Sequence, residues 1–206
     1  MTTKQRILDT SLKLFNEQGI DAITVRHIAK ELGISHGNLC YHFQNTDVII
    51  EKLYEQLLEE LNELLSNSAL LQQVSIKLFH DLSEFVFNKL YKYKFLMQDF
   101  VSIMRRNPNL KLKHRALVKN RKLLFQMGIG AGIQIGFLKK DIVEGQYENY
   151  FEQLFIISDF WLSSAEILYE GTEDNKLKKY INLAFTLIVP YLTEQGLEEY
   201  QAFLKH

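Results

Sequence analysis

Residues 7–45 read ILDTSLKLFNEQGIDAITVRHIAKELGISHGNLCYHFQN, and the fold is decided there. Ile7, Leu8, Leu12 and Phe15 recur at helical spacing, with Lys4, Lys13 and Glu17 on other faces. Gly19 supplies a left-handed stop, because glycine has no Cβ to clash in that conformation. Thr24 is placed to N-cap a second helix that buries Val25, Ile28, Ala29 and Leu32 and ends at Gly33. Only Ile34 separates Gly33 from Ser35, the N-cap of a third helix, so the two helices must cross steeply. On that third helix Leu39 and Phe43 face inward, leaving His36, Gly37, Asn38, Cys40, Tyr41 and His42 to point elsewhere. A packed tripod whose last helix keeps a free outer face is the geometry of a helix-turn-helix. Asn45 then caps a longer fourth helix, with Asp47 in its first turn, where the helix dipole favours a negative charge.

Arg6-Ile7-Leu8, Leu14-Phe15, Gly19, Thr24, Ile28-Ala29, Gly33, Ser35, Gly37, Leu39 and His42-Phe43 together resemble the DNA-binding domain of TetR-family transcriptional regulators. The length of 206 residues suits that family too. The resemblance implies an all-α protein, with a helix-turn-helix DNA-binding domain over residues 1–47 and a larger helical ligand-binding and dimerisation domain over 48–206. It places Arg26, His36, Gly37 and Asn38 where base edges are read, and Thr24, Ser35, Cys40, Tyr41, His42 and Thr46 along the same DNA-facing surface. Arg can grip guanine and Asn adenine with two hydrogen bonds, each pair worth about 1–3 kcal/mol of discrimination. Two positions depart from the family pattern: Cys40 stands where an aromatic, most often Tyr, is usual, and Thr46 where a Lys is usual. Both family residues touch phosphates, so their loss weakens the sequence-independent part of the affinity. Tyr41 sits one position on, about 100° round the helix, and the Thr46 hydroxyl can still donate to a phosphate.

Bulk properties narrow the class. A hydrophobic content of 47% supports a substantial core, and two prolines argue for mostly continuous helices. The net charge of −1 excludes a generally basic nucleic-acid binder, so any DNA contact must come from cations gathered on one face. A lone cysteine permits no internal disulfide and suits a reducing compartment. The polar start, MTTKQRILDT, lacks a secretory apolar stretch, and the apolar run Leu183 to Leu192 is too short for a bilayer, so no membrane association and a cytoplasmic location are expected.

Beyond residue 48 the signals are patterns of burial. Ile50, Leu53, Leu57, Leu61 and Leu64 mark a long amphipathic helix made acidic by Glu51, Glu55, Glu59, Glu60 and Glu63, with a first break at Asn67-Ser68. Helices follow from Ile76 to about Leu90 and around Phe95 to Met104, and Asn107-Pro108 is a boundary because proline disfavours helix at the residue before it. The stretch from residue 101 to 140 carries Arg105, Arg106, Lys111, Lys113, Arg115, Lys119, Arg121, Lys122, Lys139 and Lys140 and no acid. It reads as a solvated face complementing the acidic helix, as a rim that attracts an anionic ligand, or as a surface near DNA phosphates. Gly128, Gly130, Gly132 and Gly136 follow a helical pattern and not a strand, so they read as helix packing and a helix end before Phe137, not a nucleotide loop. The last two helices, about Gln146 to Tyr169 and Asn175 to Leu192, are apolar on more than one face. That calls for two packing partners: the chain's own core and a second subunit.

The resulting expectation is a homodimeric regulator, of repressor type, that binds a palindromic operator in double-stranded DNA and is released by a small apolar or amphiphilic effector. Candidate pocket residues are Phe79, Phe87, Phe100, Met104, Phe125, Met127, Phe155 and Trp161. Candidate dimer contacts are Phe151, Leu154, Ser158, Leu162, Ala165, Ile181, Ala184 and Ile188. No cofactor or metal is expected. No Ser-His-Asp or paired-carboxylate arrangement is legible, so enzyme activity is not expected. Two alternatives stay open: a metal- or redox-responsive regulator using His36 and Cys40, four apart on one helix, or a dimeric interaction module that has lost DNA binding.

Overall fold

The computed structural model describes residues 1–65 and 74–205. In chain order the described helices are α1 (Thr3–Gln18), α2 (Val25–Leu32), α3 (His36–His42), α4 (Thr46–Leu65), α5 (Ile76–Lys92), α6 (Lys94–Gln98), α7 (Phe100–Arg106), α8 (Pro108–Ile135), α9 (Gln146–Leu168), α10 (Glu173–Thr186) and α11 (Glu194–Phe203), with a 3-10 turn at Val189–Tyr191. The fold is all-α: the described residues form no strand, only an isolated antiparallel bridge between Leu138 and Leu192. The break expected at Asn67-Ser68 lies outside the described residues.

The first four helices begin where their caps say they should. Thr2, Thr24 and Ser35 accept a backbone N–H at the starts of α1, α2 and α3, and the Asn45 side chain accepts the Val48 N–H at 3.0 Å to start α4. α1 packs on α2, α4 and α6, and α2 on α3. Ile7, Phe15, Ile28, Leu39, Phe43 and Ile49 meet in a core that continues without interruption through α4 into Phe87, Leu96 and Trp161. A polar pin adds to this seam: the Asn16 side chain donates to the Lys92 carbonyl at 2.9 Å and accepts the Phe95 N–H at 3.1 Å, beside the Phe15–Phe95 ring contact. A second core closes the far end around Ile129, Phe137, Leu138, Tyr150, Phe185 and Tyr200.

Three boundaries differ from the pattern. The helix expected from Phe95 to Met104 is two, α6 and α7, broken at Asp99. Phe95, Leu96 and Met97 are all buried, and on a straight helix they would span about 200°, too wide for one packing face. The helix expected to run to Leu192 stops at Thr186 and tightens into the 3-10 turn around Pro190, whose nitrogen carries no hydrogen. α11 has no counterpart in the expectation; Thr193 caps it by accepting the Gly196 N–H at 3.1 Å and anchors it by donating to the Gly136 carbonyl at 2.7 Å. Within the glycine run, Gly132 serves packing, since a Cβ there would lie 2.7 Å from a Leu138 methyl, Gly136, at φ 93°, ends α8, and Gly130 faces open space. None of α1 to α11 is long and apolar enough to cross a membrane.

Candidate nucleic-acid interface and internal cavity

The α2–α3 corner is built from local hydrogen bonds. Thr24 and His27 cap each other at 3.4 Å, each backbone N–H reaching the other's side chain. Gly33 takes the left-handed conformation at φ 66°, and the Ile34 N–H bonds back to the Ala29 carbonyl at 3.0 Å, so the chain reverses within three residues. Ser35 restarts the helix by accepting the Asn38 N–H at 3.1 Å. Leu39 and Phe43 are buried beneath α3. His36, Gly37, Asn38 and Tyr41 stand exposed, Tyr41 with 86% of its surface free, and Arg26 is exposed in the first turn of α2. Thr24 and Ser35 are exposed caps beside them, whereas Cys40, His42 and Thr46 are half-buried. A Cβ added at Gly37 would meet nothing within 4 Å, so nothing inside the chain demands glycine there.

The His36 ring approaches the Cys40 sulfur, at 3.3 Å from Nε2. Among the described residues no further His, Cys, Asp or Glu joins them within metal-ligating range, and the group of three that could hold a metal is His80, Asp81 and Glu84 on α5.

A cavity of about 180 Å³ lies between α5, α8, α9 and α10. Of the expected pocket residues, Phe79, Phe87, Phe125 and Phe155 line it. The others do not. Met127 turns outward, 56% exposed, because α8 presents Leu124, Phe125 and Gly128 to the cavity. Trp161 is buried behind the wall, stacked on Phe87 at 5.5 Å and on Tyr91 at 6.0 Å. Phe100 and Met104 border a separate shallow hollow with His114, Arg115 and Phe160.

The expected dimer contacts are corrected as well, because the named stripe faces the chain's own interior. Phe151, Leu154 and Ser158 line the cavity together with Ala184. Leu162, Ala165, Ile181 and Ile188 are packed in the two cores. The apolar side chains that α9 and α10 leave free are Ile156 (60% exposed), Phe160 (41%), Ile167 (82%), Leu168 (70%) and Leu183 (50%).

A polar chain between the cavity and α4 carries no signal in the spacing of the sequence. Arg121, in the cavity wall, places its guanidinium over the Phe155 ring, 4.7 Å from the centroid. Burial pulls its pKa below the ordinary value, and the negative charge of Asp159 partly restores it. Asp159 lies 3.4 Å from His114 Nε2, and His114 Nδ1 lies 2.8 Å from the Tyr54 hydroxyl on α4. One neutral tautomer satisfies both contacts, with Nε2–H donating to Asp159 and Nδ1 accepting from Tyr54. Burial, with Asp159 adding to it, drives the Tyr54 hydroxyl far above its usual pKa. Of the other cations in the stretch from residue 101 to 140, Lys113 pairs with Glu51 and Glu55, joining α8 to α4 as the complementary-face reading requires.

Comparison with known proteins agrees with this geometry. Residues 7–53 match the family model of bacterial regulatory proteins of the tetR family, and residues 51–200 match a second model described as bacterial transcriptional repressor. The negative transcriptional regulator IcaR of the biofilm operon icaADBC, from Staphylococcus aureus, is 33% identical over 86 residues, covering 41% of this chain and 46% of IcaR. The chain thus spans less than half the length of that curated relative. A TetR-family transcriptional regulator from Marinobacter aquaeolei VT8 superposes with a TM-score of 0.87 at 26% identity, over 98% of this chain and 97% of that one. SmeT of Stenotrophomonas maltophilia, solved with triclosan, shares the fold at 19% identity and a TM-score of 0.59, over 94% and 93% of the two chains.

Proposed function

The chain belongs to the TetR family of transcriptional regulators, and we propose that it works as a homodimer that grips a palindromic operator with two copies of α3 and lets go when a small molecule fills the cavity. The family consists of regulators and not of enzymes. The observation that carries the reading is α3 itself: it is pinned from beneath by Leu39 and Phe43 and offers His36, Gly37, Asn38 and Tyr41 outward. Glycine at position 37, where the chain's own atoms leave a side chain free space, lets a docked duplex approach the backbone closely. In this reading residues 1–47 bind DNA, with Thr24, Arg26, Ser35, Cys40, His42 and Thr46 completing the surface, and residues 48–206 bind the effector and the second subunit. The exposed stripe of Ile156, Phe160, Ile167 and Leu183 supports a two-fold bundle of α9 and α10. SmeT, which shares this fold, has been solved in complex with triclosan, and a cavity lined with phenylalanine here supports an apolar effector. To release DNA, the effector must favour the non-binding geometry by a few kcal/mol.

The test is fluorescence anisotropy of the protein against tiled DNA from the flanks of its own gene and against fragments selected from random DNA, over a salt series. Site-selective binding is expected, with Arg26→Ala and Asn38→Ala each losing about 1–3 kcal/mol, roughly fivefold to 150-fold in affinity. Binding that is equal on every fragment and indifferent to both substitutions would remove the reading and favour a dimeric module that no longer reads DNA.

A further inference from the structure

The cavity wall is apolar but for one charge. Among the described lining residues the polar side chains are Ser83, Ser158, Tyr150 and Arg121, and the two serine hydroxyls already donate to carbonyls of their own helices, Phe79 at 2.9 Å and Phe155 at 3.1 Å. Arg121 is different. Its guanidinium offers five N–H donors, yet none meets an acceptor among the described residues, and no described carboxylate comes within 4.0 Å of it. Asp159 attracts it from farther off while engaged with His114. Arg121 is half-buried, and a charge held partly out of water without a partner is costly, a cost that the stack on Phe155 offsets only in part. Guanidinium keeps its proton in proteins, so the charge cannot be shed. The cavity therefore holds a permanent, underpaired cation facing an apolar space.

We infer that the effector is a monoanionic amphiphile whose carboxylate pairs with Arg121 while its apolar body lies against Phe79, Phe87, Phe125 and Phe151. The inference rests on the reading of the cavity as an effector site and names the chemistry of its occupant. The fork of Arg121 matches a carboxylate with two parallel hydrogen bonds. A cationic ligand would meet the like charge of Arg121, and a dianion would find one cation and, beyond 4.0 Å, the opposing negative charge of Asp159. The volume, about 180 Å³, lies below the roughly 300–1,000 Å³ usual for drug-sized sites, so the body is one modest chain or ring system.

The probes are decanoate, decanol and decyltrimethylammonium, which share a chain and differ in charge, titrated into the full-length protein near pH 7.5. Trp161, the only tryptophan, reports through its stack on Phe87, a lining residue, and calorimetry provides the affinities. Decanoate is expected to bind at least about tenfold more tightly than decanol, a difference of about 1.4 kcal/mol, and the ammonium probe more weakly than either. Arg121→Met should erase the preference for decanoate and leave decanol within about twofold, while Arg121→Lys should keep most of the preference. Decanol binding as tightly as decanoate to the native protein, or a preference that survives Arg121→Met, overturns the anion assignment and leaves the cavity reading standing. Failure of all three probes to bind removes the cavity reading and the inference with it. If Arg121→Met does not fold, the order of the three probes on the native protein and Arg121→Lys decides.

Discussion

Glu60 ties the helix that leaves the DNA-binding unit to the body of the protein, and its removal has a calculable cost. It lies on α4 and accepts hydrogen bonds from Lys89 at 2.7 Å, Lys92 at 2.6 Å and the Tyr93 hydroxyl at 2.7 Å, all at the end of α5. Burial alone would raise its pKa, but those three donors outweigh it and hold the carboxyl down to about 2, against an ordinary 4.5. At about 1.4 kcal/mol per pH unit, the depression corresponds to about 3 kcal/mol. Lys92 is half-exposed and Lys89 close to a third exposed, so water screens part of each pair and about 1–2 kcal/mol is the usable figure. Glu60→Gln keeps the shape and an acceptor for Tyr93 while deleting the charge, so a loss of about 1–2 kcal/mol is expected, or roughly 2–8 °C in Tm for a chain of this size. The pH dependence carries the sign. Because the carboxyl titrates lower in the folded state, its stabilisation is complete above about pH 4.5 and disappears as pH falls toward 2. Guanidinium unfolding at fixed protein concentration, from pH 7 down to pH 3, should show a constant gap between native and variant that narrows below pH 4.5. Equal stability at pH 7, or a gap as wide at pH 3 as at pH 7, would refute the reasoning.

Two further outcomes test how the halves of the molecule work together. Ile156→Glu combined with Phe160→Glu places charges on side chains that are already 60% and 41% exposed; the chain should stay folded by circular dichroism and sediment as a monomer, and a persistent dimer would place the two-fold contact elsewhere. Tyr54→Phe removes the hydroxyl that meets His114 across the α4–α8 junction at a cost of about 1 kcal/mol. If the Arg121–Asp159–His114–Tyr54 chain carries the signal, this variant should bind decanoate as the native protein does yet release less operator DNA in anisotropy at saturating probe, and undiminished release would show that another contact, such as the Asn16 pin, transmits it.

What can be read from these residues without coordinates divides by physical cause. The first four helices are legible because their boundaries are local devices: Thr24, Gly33, Ser35 and Asn45 each act on a backbone group within four residues, so spacing alone reports them. The outward set on α3 follows from the same logic, since fixing Leu39 and Phe43 as inward leaves the rest no other side. α9 defeats this logic because it is apolar nearly all round. Periodicity can show that Phe151, Leu154, Ser158, Leu162 and Ala165 form one stripe and Ile156, Phe160 and Ile167 another, but both are helical stripes, and hydrophobicity does not say which one the chain keeps for itself. The chain keeps the first, which α5, α6 and α10 cover, and leaves the second to solvent. Trp161 and Met127 fail for the same reason, one packed behind the wall and the other turned away from it.

The anchor in the cavity is a harder case, because its meaning is the absence of a neighbour. Arg121 is one of ten cations between residues 101 and 140, and nothing in its flanks separates it from Arg115 or Lys119, which are exposed. Lys113 finds Glu55 because the acidic stripe of α4 lies opposite, a pairing that charge balance alone could suggest. Arg121, two turns farther along α8, pairs with no described acid of α4 and stacks on Phe155 of α9, whose Asp159 already serves His114. A cation at that place raises the cost of the empty protein and lowers that of the filled one. An anion that joins Arg121 also changes what Asp159 feels, and Asp159 leads through His114 to Tyr54 on the helix that carries the DNA-binding unit. The group that selects the ligand and the group that could report it are thus the same side chain, which is why a single charge in an otherwise apolar wall is the feature of this domain from which function is best argued.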